Sequence, residues 1–127
     1  MSSSTTNEEA IDLIVSCQRM FSDGPTASVV VVTDSRKESV NLICQLVEVF
    51  RECQMSLCNT TLQVENVKFV FVTAQEPSER IMAMLPVHWI PLSDNIPART
   101  IREIIYRVQR GQVNYQRLCE RGGIWVS

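Results

Sequence analysis

The stretch Ser28-Val29-Val30-Val31-Val32-Thr33 decides the fold class, and Asp34 and Ser35 follow it directly. Four consecutive valines predict a β-strand covered on both faces, because a strand with one wet face alternates apolar and polar residues. The segment from Val67 to Ala74 has the same character and predicts a second strand of this kind. Strands buried on both faces are typical of parallel sheets packed between helices.

Segments with helical spacing separate these strands. The first predicted helix begins at Thr6, and the Ser22-Asp23-Gly24-Pro25 turn ends it. The other predicted helices span 38–53 and 77–85, followed by one that begins at Pro97. A short third strand is expected from Val87 to Pro91. Gly111 either ends or weakens the last helix, residues 112–121 extend it, and Gly122-Gly123 stops it before the apolar tail Ile124-Trp125-Val126.

This order of elements predicts a small three-layer α/β/α domain with a mainly parallel sheet, of the flavodoxin or receiver type. The expected divisions are a disordered lead over 1–6, the α/β domain over 7–111, and a C-terminal helical extension and tail over 112–127. Three strands make a small sheet that lacks its first strand. A further strand is expected either from Thr61 to Val64 or from another chain.

Composition and charge exclude several classes of protein. The chain has 127 residues and a net charge of −2, which gives no argument for nucleic-acid binding. Charge is uneven, however: six arginines and two acids follow position 98, a net of +4, which leaves −6 on the first 98 residues. Five cysteines without a CxxC pair, no membrane-spanning apolar run and no signal peptide predict a cytoplasmic protein without membrane contact.

Candidate chemistry lies where the predicted strands end. Parallel strands bring their carboxyl ends to one rim, where Asp34 and Ser35, Thr73 and Gln75, and residues 92–94 are expected to gather. This set contains no base. No glycine-rich loop follows the first predicted strand, which excludes a P-loop or a dinucleotide fingerprint. We therefore expect no catalytic residue, no metal site and no cofactor.

The strand ends resemble the phosphoacceptor receiver domain of response regulators. The quoted residues are Val-Val-Val-Val-Thr-Asp34, Phe-Val-Thr73-Ala74 and Trp89-Ile-Pro-Leu92-Ser93. The resemblance implies that Asp34 matches the phosphoacceptor, Thr73 the switch hydroxyl and Trp89 the switch aromatic. Leu92 and Ser93 replace the family's Lys-Pro, and the acidic pair that binds magnesium has no counterpart. The resemblance therefore implies a pseudo-receiver.

A second resemblance is to the degenerate receiver segment of cyclic-AMP-specific phosphodiesterases. It rests on Arg110-Gly111-Gln112-Val113, which is similar to the linker that follows the last helix there.

Three functions are open on the sequence. The first is a non-catalytic signalling or docking module that binds a protein partner or a second copy, without nucleic acid. Exposed aromatic and arginine side chains are the usual anchors of such contacts, and here they are Trp89, Arg99, Arg102, Tyr106, Arg110 and Trp125. The second is a phosphoacceptor or small hydrolase centred on Asp34 and Thr73. The third is a structural subunit or truncated isoform of a larger regulatory protein.

Overall fold

The computed structural model describes residues 7–75, 79–82 and 84–126. Four helices and five strands are assigned in this part of the chain. In chain order they are α1 (Asn7–Phe21), β1 (Ala27–Thr33), α2 (Arg36–Val49), β2 (Gln54–Ser56), β3 (Thr61–Val64), β4 (Val67–Thr73), α3 (Glu79–Met82), β5 (His88–Pro91) and α4 (Ala98–Val126).

The strands form one mixed sheet in the order β2-β3-β4-β1-β5. Strand β1 lies between β4 and β5 and pairs in parallel with both. Strands β2, β3 and β4 pair antiparallel and form a meander, which extends the sheet on the β4 side of the parallel strands. The α/β class and the predicted side-by-side parallel strands are confirmed. The predicted additional strand at Thr61 to Val64 is also confirmed.

The four valines of β1 separate two apolar cores, because successive side chains of a strand point to opposite faces. Val29 and Val31 face a cluster built with α1 and α2, whereas Val30 and Val32 face a cluster built with α3 and α4. All four are fully buried. Strand β4 repeats this division with Phe69 on the first side and its neighbour Val70 on the second.

Two features of the sheet correct the sequence-based prediction. Because β1 is paired on both sides, no strand is missing beside it, and the predicted absence of a first strand is wrong. In the receiver order 2-1-3-4-5, the fourth strand lies between the third and the fifth. Here β1, the counterpart of the third strand, lies between β4 and β5, the counterparts of the fourth and fifth strands. The residue matches to a receiver therefore do not extend to the strand order.

Helix boundaries differ from the prediction for local reasons. Helix α2 begins at Arg36 and not at 38, because Ser35 is its N-cap and accepts a hydrogen bond from the Glu38 backbone N–H. It ends at Val49 and not at 53, since Phe50 has an extended backbone conformation. The described part of α3 is the single turn Glu79–Met82. The predicted disordered lead and Pro77 lie outside the described residues.

Strands β3 and β4 form a β-hairpin. Glu65 and Asn66 form the two-residue turn between β3 and β4, and Glu65 has a φ of 56°. The Asn66 amide donates to the backbone oxygens of Phe21, Gly24 and Pro25 at 2.7, 2.9 and 3.0 Å. One side chain thus joins this hairpin to the loop between α1 and β1.

Helix α4 is continuous across the predicted boundary between residues 111 and 112, and the predicted stop at Gly122-Gly123 is wrong, because the helix continues to Val126. Gly111 is buried in the helix, and a Cβ built there would lie 2.0 Å from the Pro86 backbone oxygen. The glycine therefore lets the 85–86 backbone cross close to α4. The next residue continues this contact, since the Gln112 amide donates to the Val87 oxygen at 3.2 Å.

None of the helices in the described ranges combines the length and apolar character that crossing a membrane requires.

Candidate functional site

Two surfaces contain the residues singled out in the sequence. The first is the rim at the carboxyl ends of β1, β4 and β5, which the parallel pairing brings together. Thr33 and Thr73 are register partners on β1 and β4, and Ser93 follows β5. After β1, the chain first reaches β4 on one side of β1 and later reaches β5 on its other side. A topological switch point of this kind is where open α/β sheets bind ligands.

Asp34 is exposed and held by contacts on both sides of that switch point. The Ser93 hydroxyl donates to its carboxylate oxygen Oδ1 and accepts from the Asn95 backbone N–H at 3.1 Å. The Asp34 backbone N–H donates to the Glu38 carboxylate at 3.0 Å. These bonds connect the ends of β1 and β5 to the first turn of α2.

The neighbouring hydroxyls complete a structural cap. Thr33 and Ser39 are buried, and their hydroxyls share a hydrogen bond of 2.7 Å. The Thr33 hydroxyl also lies 3.0 Å from the Ser35 backbone oxygen, to which it donates. Buried hydroxyls need such partners because an unsatisfied polar group costs about 1–3 kcal/mol. At the end of β1, the polar residues therefore stabilise the start of α2.

The rim brings Asp34 and Thr73 to one edge, whereas the guanidinium of Arg36 is bonded elsewhere. Phosphoryl transfer needs positive charge to offset the charge that develops on the phosphoryl oxygens. Arg36, two positions after Asp34, donates to the backbone oxygens of Leu57 and Cys58 at 2.8 and 3.0 Å. Among the described residues, no three His, Cys, Asp or Glu side chains are grouped so that they would hold a metal ion.

The second surface is the outer face of α4, which we call the arginine face. Its buried face consists of Ile104, Val108 and Gly111, with half-buried Tyr115 one turn further on. Residues two positions after each of these lie on the opposite side of the helix, since two residues turn an α-helix by about 200°. The arginine face therefore comprises Arg99, Arg102, Tyr106, Arg110, Val113, Arg117 and Arg121, all of them exposed.

Positive charge dominates this face, where five arginines outnumber the exposed Glu120, which lies three residues after Arg117. Glu103 lies beside it and is paired with Arg107, also off the face, at 3.0 Å. The guanidinium groups of Arg107 and Arg110 lie over the Tyr106 ring, at 5.8 and 5.6 Å from its centroid. Arg110 also donates to the Tyr106 hydroxyl at 2.9 Å. The aromatic ring is thereby held at the centre of the face, although 49% of it stays exposed.

Beside this helix face lies an open cleft of about 330 Å³. Exposed Leu85 forms one wall, and the α4 residues Arg110, Val113, Asn114 and Arg117 form the other. The close crossing at Gly111 brings Leu85 to this position. The cleft therefore combines two apolar side chains with two guanidinium groups, a mixture that suits an amphipathic acidic surface.

The predicted partner-binding residues divide between this face and the core. Arg99, Arg102, Tyr106 and Arg110 lie on the arginine face. Trp89 is half-buried and packs against the cluster of the α3 and α4 side. The side chain of Trp125 lies outside the described residues.

The sequence prediction omitted the C-terminal half of this face, including Val113, Arg117 and Arg121, and it also omitted Leu85. The signal for the α4 residues was present, because steps of three and four residues continue through Gly111. Gly111 obscured this helical spacing, because a glycine at this position suggested that the helix ends or weakens there. Leu85 had no local signal, since only its approach to α4 places it on this surface.

Comparison of the chain with protein-family models, with curated proteins and with solved structures found no match.

Proposed function

We propose that this chain is a non-catalytic docking module whose arginine face binds an acidic, amphipathic surface of a protein. The observation that carries this proposal is the alignment of five arginines with Tyr106 and Val113, opposite the buried face of α4. The face extends over about 33 Å at 1.5 Å per residue. Arginine and tyrosine are enriched in the residues that dominate protein interfaces, because they combine apolar area with directional donors.

Physical arguments favour a protein over other anionic partners. A helix that lies in a membrane surface needs a free apolar face, but the apolar face of α4 already packs on the sheet. A long nucleic acid would meet the −6 charge of the first 98 residues as well as the arginines. A short acidic surface avoids that repulsion. Five free cysteines support a reducing, cytoplasmic setting for this role.

The pseudo-receiver relationship remains part of the proposal. It is supported by the common direction of β1, β4 and β5, which carries Asp34 and Thr73 to one rim. The position of β1 between β4 and β5 argues against a residue-by-residue match to a receiver.

Charge reversal on α4 tests the docking role. We expect the protein to bind a fluorescent acidic amphipathic helical peptide saturably, and Arg110→Glu combined with Arg117→Glu to weaken binding about a hundredfold. The loss reflects two charge-assisted contacts, each worth about 1.5–3 kcal/mol. Fluorescence anisotropy at rising salt concentration measures the affinity and its electrostatic part.

The matched control reverses two exposed cations outside α4, Lys37 and Arg51. Lys37→Glu with Arg51→Glu changes the net charge equally and is expected to leave peptide affinity within about twofold, because distant surface charges are screened. Equal loss in both double variants would attribute the binding to net charge. Tighter binding to duplex DNA or to phosphatidylserine vesicles than to the peptide would overturn the choice of a protein partner.

The alternative phosphoacceptor or hydrolase function is tested at Asp34. With acetyl phosphate and Mg²⁺, we expect no phosphoryl adduct in the intact-protein mass spectrum, since Ser93 donates to the carboxylate and Arg36 is directed to the β2–β3 turn. Asp34→Asn serves as the control. An adduct that forms on the parent protein and disappears in this variant would establish the alternative.

A further inference from the structure

We propose that the occupant of the arginine face is helix α1 of a second copy of this chain. This inference rests on the proposed docking function and names its partner. It starts from the charge distribution, because residues from Arg99 onward carry a net charge of +4 and the first 98 residues carry −6. A chain divided in this way is complementary to itself.

The exposed side of α1 has the chemistry that the arginine face requires. Its outward residues include Asp12, Leu13, Ser16 and Met20, at helical steps of three and four. Leu13 is 47% exposed and Met20 is 68% exposed, which are high values for apolar side chains. A shallow cleft of about 330 Å³ runs along this side of α1, and the residues that line it are Glu9, Asp12, Leu13 and Ser16.

The two helices match in spacing as well as in charge. Leu13 and Met20 are seven residues apart, and so are Val113 and Tyr106 on α4. In an antiparallel pairing, Leu13 lies opposite Val113 while Met20 lies opposite Tyr106, where sulfur–aromatic contact is favourable.

The same register decides the polar contacts. Ser16 then lies opposite Arg110, and Asp12 lies opposite Asn114, one turn from Arg117. One register therefore pairs both apolar residues and brings Asp12 within one turn of Arg117, while it places the exposed Arg19 opposite Arg107.

The contact has to form between copies. Helix α1 packs on the first core cluster, whereas Ile104 and Val108 of α4 pack on the second, at the opposite face of the sheet. Tyr115 of α4 reaches the first cluster and touches Phe21 at the end of α1, but it belongs to the buried side of α4 and not to the arginine face. Pairing α4 with α4 would oppose five arginines on each side. The interface therefore joins unlike surfaces and forms a ring or an open chain of copies.

Analytical ultracentrifugation of the full chain tests this inference, with Asp12→Arg and Arg117→Glu as the two variants. Each variant keeps one of the two surfaces intact. We expect the parent protein to form assemblies larger than a dimer as its concentration rises. Each variant alone should self-associate about tenfold more weakly, because one charge-assisted contact is reversed.

Mixing the variants provides the decisive measurement. The intact α1 of Arg117→Glu meets the intact α4 of Asp12→Arg, and the two reversed charges also meet each other, so the mixture should recover assemblies larger than a dimer that contain both variants. The double variant, in which both charges are exchanged, should recover self-association. Leu13→Ser provides an uncharged check and should also weaken assembly, as an apolar anchor is lost.

The outcomes separate this inference from the function on which it rests. A parent protein that stays monomeric at high concentration, yet binds the acidic peptide, overturns the self-association and preserves the docking role. Failure to bind the peptide as well overturns both. The α1–α4 contact is overturned if the mixed variants do not associate, or if Arg117→Glu self-associates as strongly as the parent protein.

Discussion

Replacing Gly111 with alanine is expected to lower the free energy of unfolding by about 3 kcal/mol, the upper part of the range for overpacked sites. In an unobstructed helix, the same change is stabilising by about 1 kcal/mol, because alanine restricts the unfolded chain more than glycine does. At Gly111 the change is destabilising instead, because the added Cβ would collide with neighbouring backbone atoms. The added Cβ would lie 2.0 Å from the Pro86 oxygen and 2.7 Å from the Leu85 oxygen.

Both obstructing atoms belong to the backbone, so no side-chain rotation relieves the clash. Either α4 or the 85–86 segment has to move, and the cleft beside Val113 widens. Urea unfolding followed by circular dichroism measures the effect. Asn114→Ala is the control, because Asn114 is exposed on the same helix, and we expect a change within about 0.5 kcal/mol. A more stable Gly111→Ala variant would show that the 85–86 backbone does not cross α4 at this distance.

Replacing Asn66 with aspartate is expected to cost about 3 kcal/mol at neutral pH, because three carbonyl oxygens, half-buried at Phe21 and Pro25 and exposed at Gly24, lose their donor and face a negative charge. The Asn66 amide group has two hydrogens and serves three carbonyl oxygens, those of Phe21, Gly24 and Pro25. The substitution keeps the shape of the side chain. A carboxylate in the same place presents oxygen to oxygen at all three contacts.

The pH dependence gives this prediction a second readout. A carboxyl group facing three carbonyl oxygens is favoured in its protonated form, so its pKa in the folded state rises above the unfolded value. The cost is therefore greatest at neutral pH and diminishes as the pH falls toward about 4. Asn41→Asp, at an exposed position of α2, is the matched control. Equal unfolding curves for the two variants would exclude the proposed role of Asn66 in joining the hairpin to the α1–β1 loop.

Much of the architecture was accessible from local patterns. The valine run predicted a strand buried on both faces, and the division of Val29 to Val32 between two cores confirms it. The common direction of β1, β4 and β5 was also predicted correctly, because alternating strands and helices favour right-handed parallel crossovers. The position of Asp34, Thr73 and Ser93 at one rim follows from that direction alone.

The rest depended on contacts between distant segments. The hairpin turn at Glu65 and Asn66 was missed, although the alternation from Thr61 to Val64 signals its first strand. Asn66 is an ordinary turn residue until the α1–β1 loop brings three carbonyl oxygens to it. Val113, Arg117 and Arg121 of the arginine face were missed because the predicted domain was divided from its helical extension at Gly111, where the helix was expected to end or weaken.

By itself, the sequence determined the main helices, the strands β1, β4 and β5 and which of their faces are buried, since hydrophobic periodicity reports burial along a segment. It also determined the division between an acidic body and a basic last helix. Only the tertiary structure decided that β1 lies between β4 and β5, that Gly111 adjoins Pro86 and that Leu85 lies beside Val113. These are contacts between segments far apart in the chain, and local periodicity does not specify which surfaces meet.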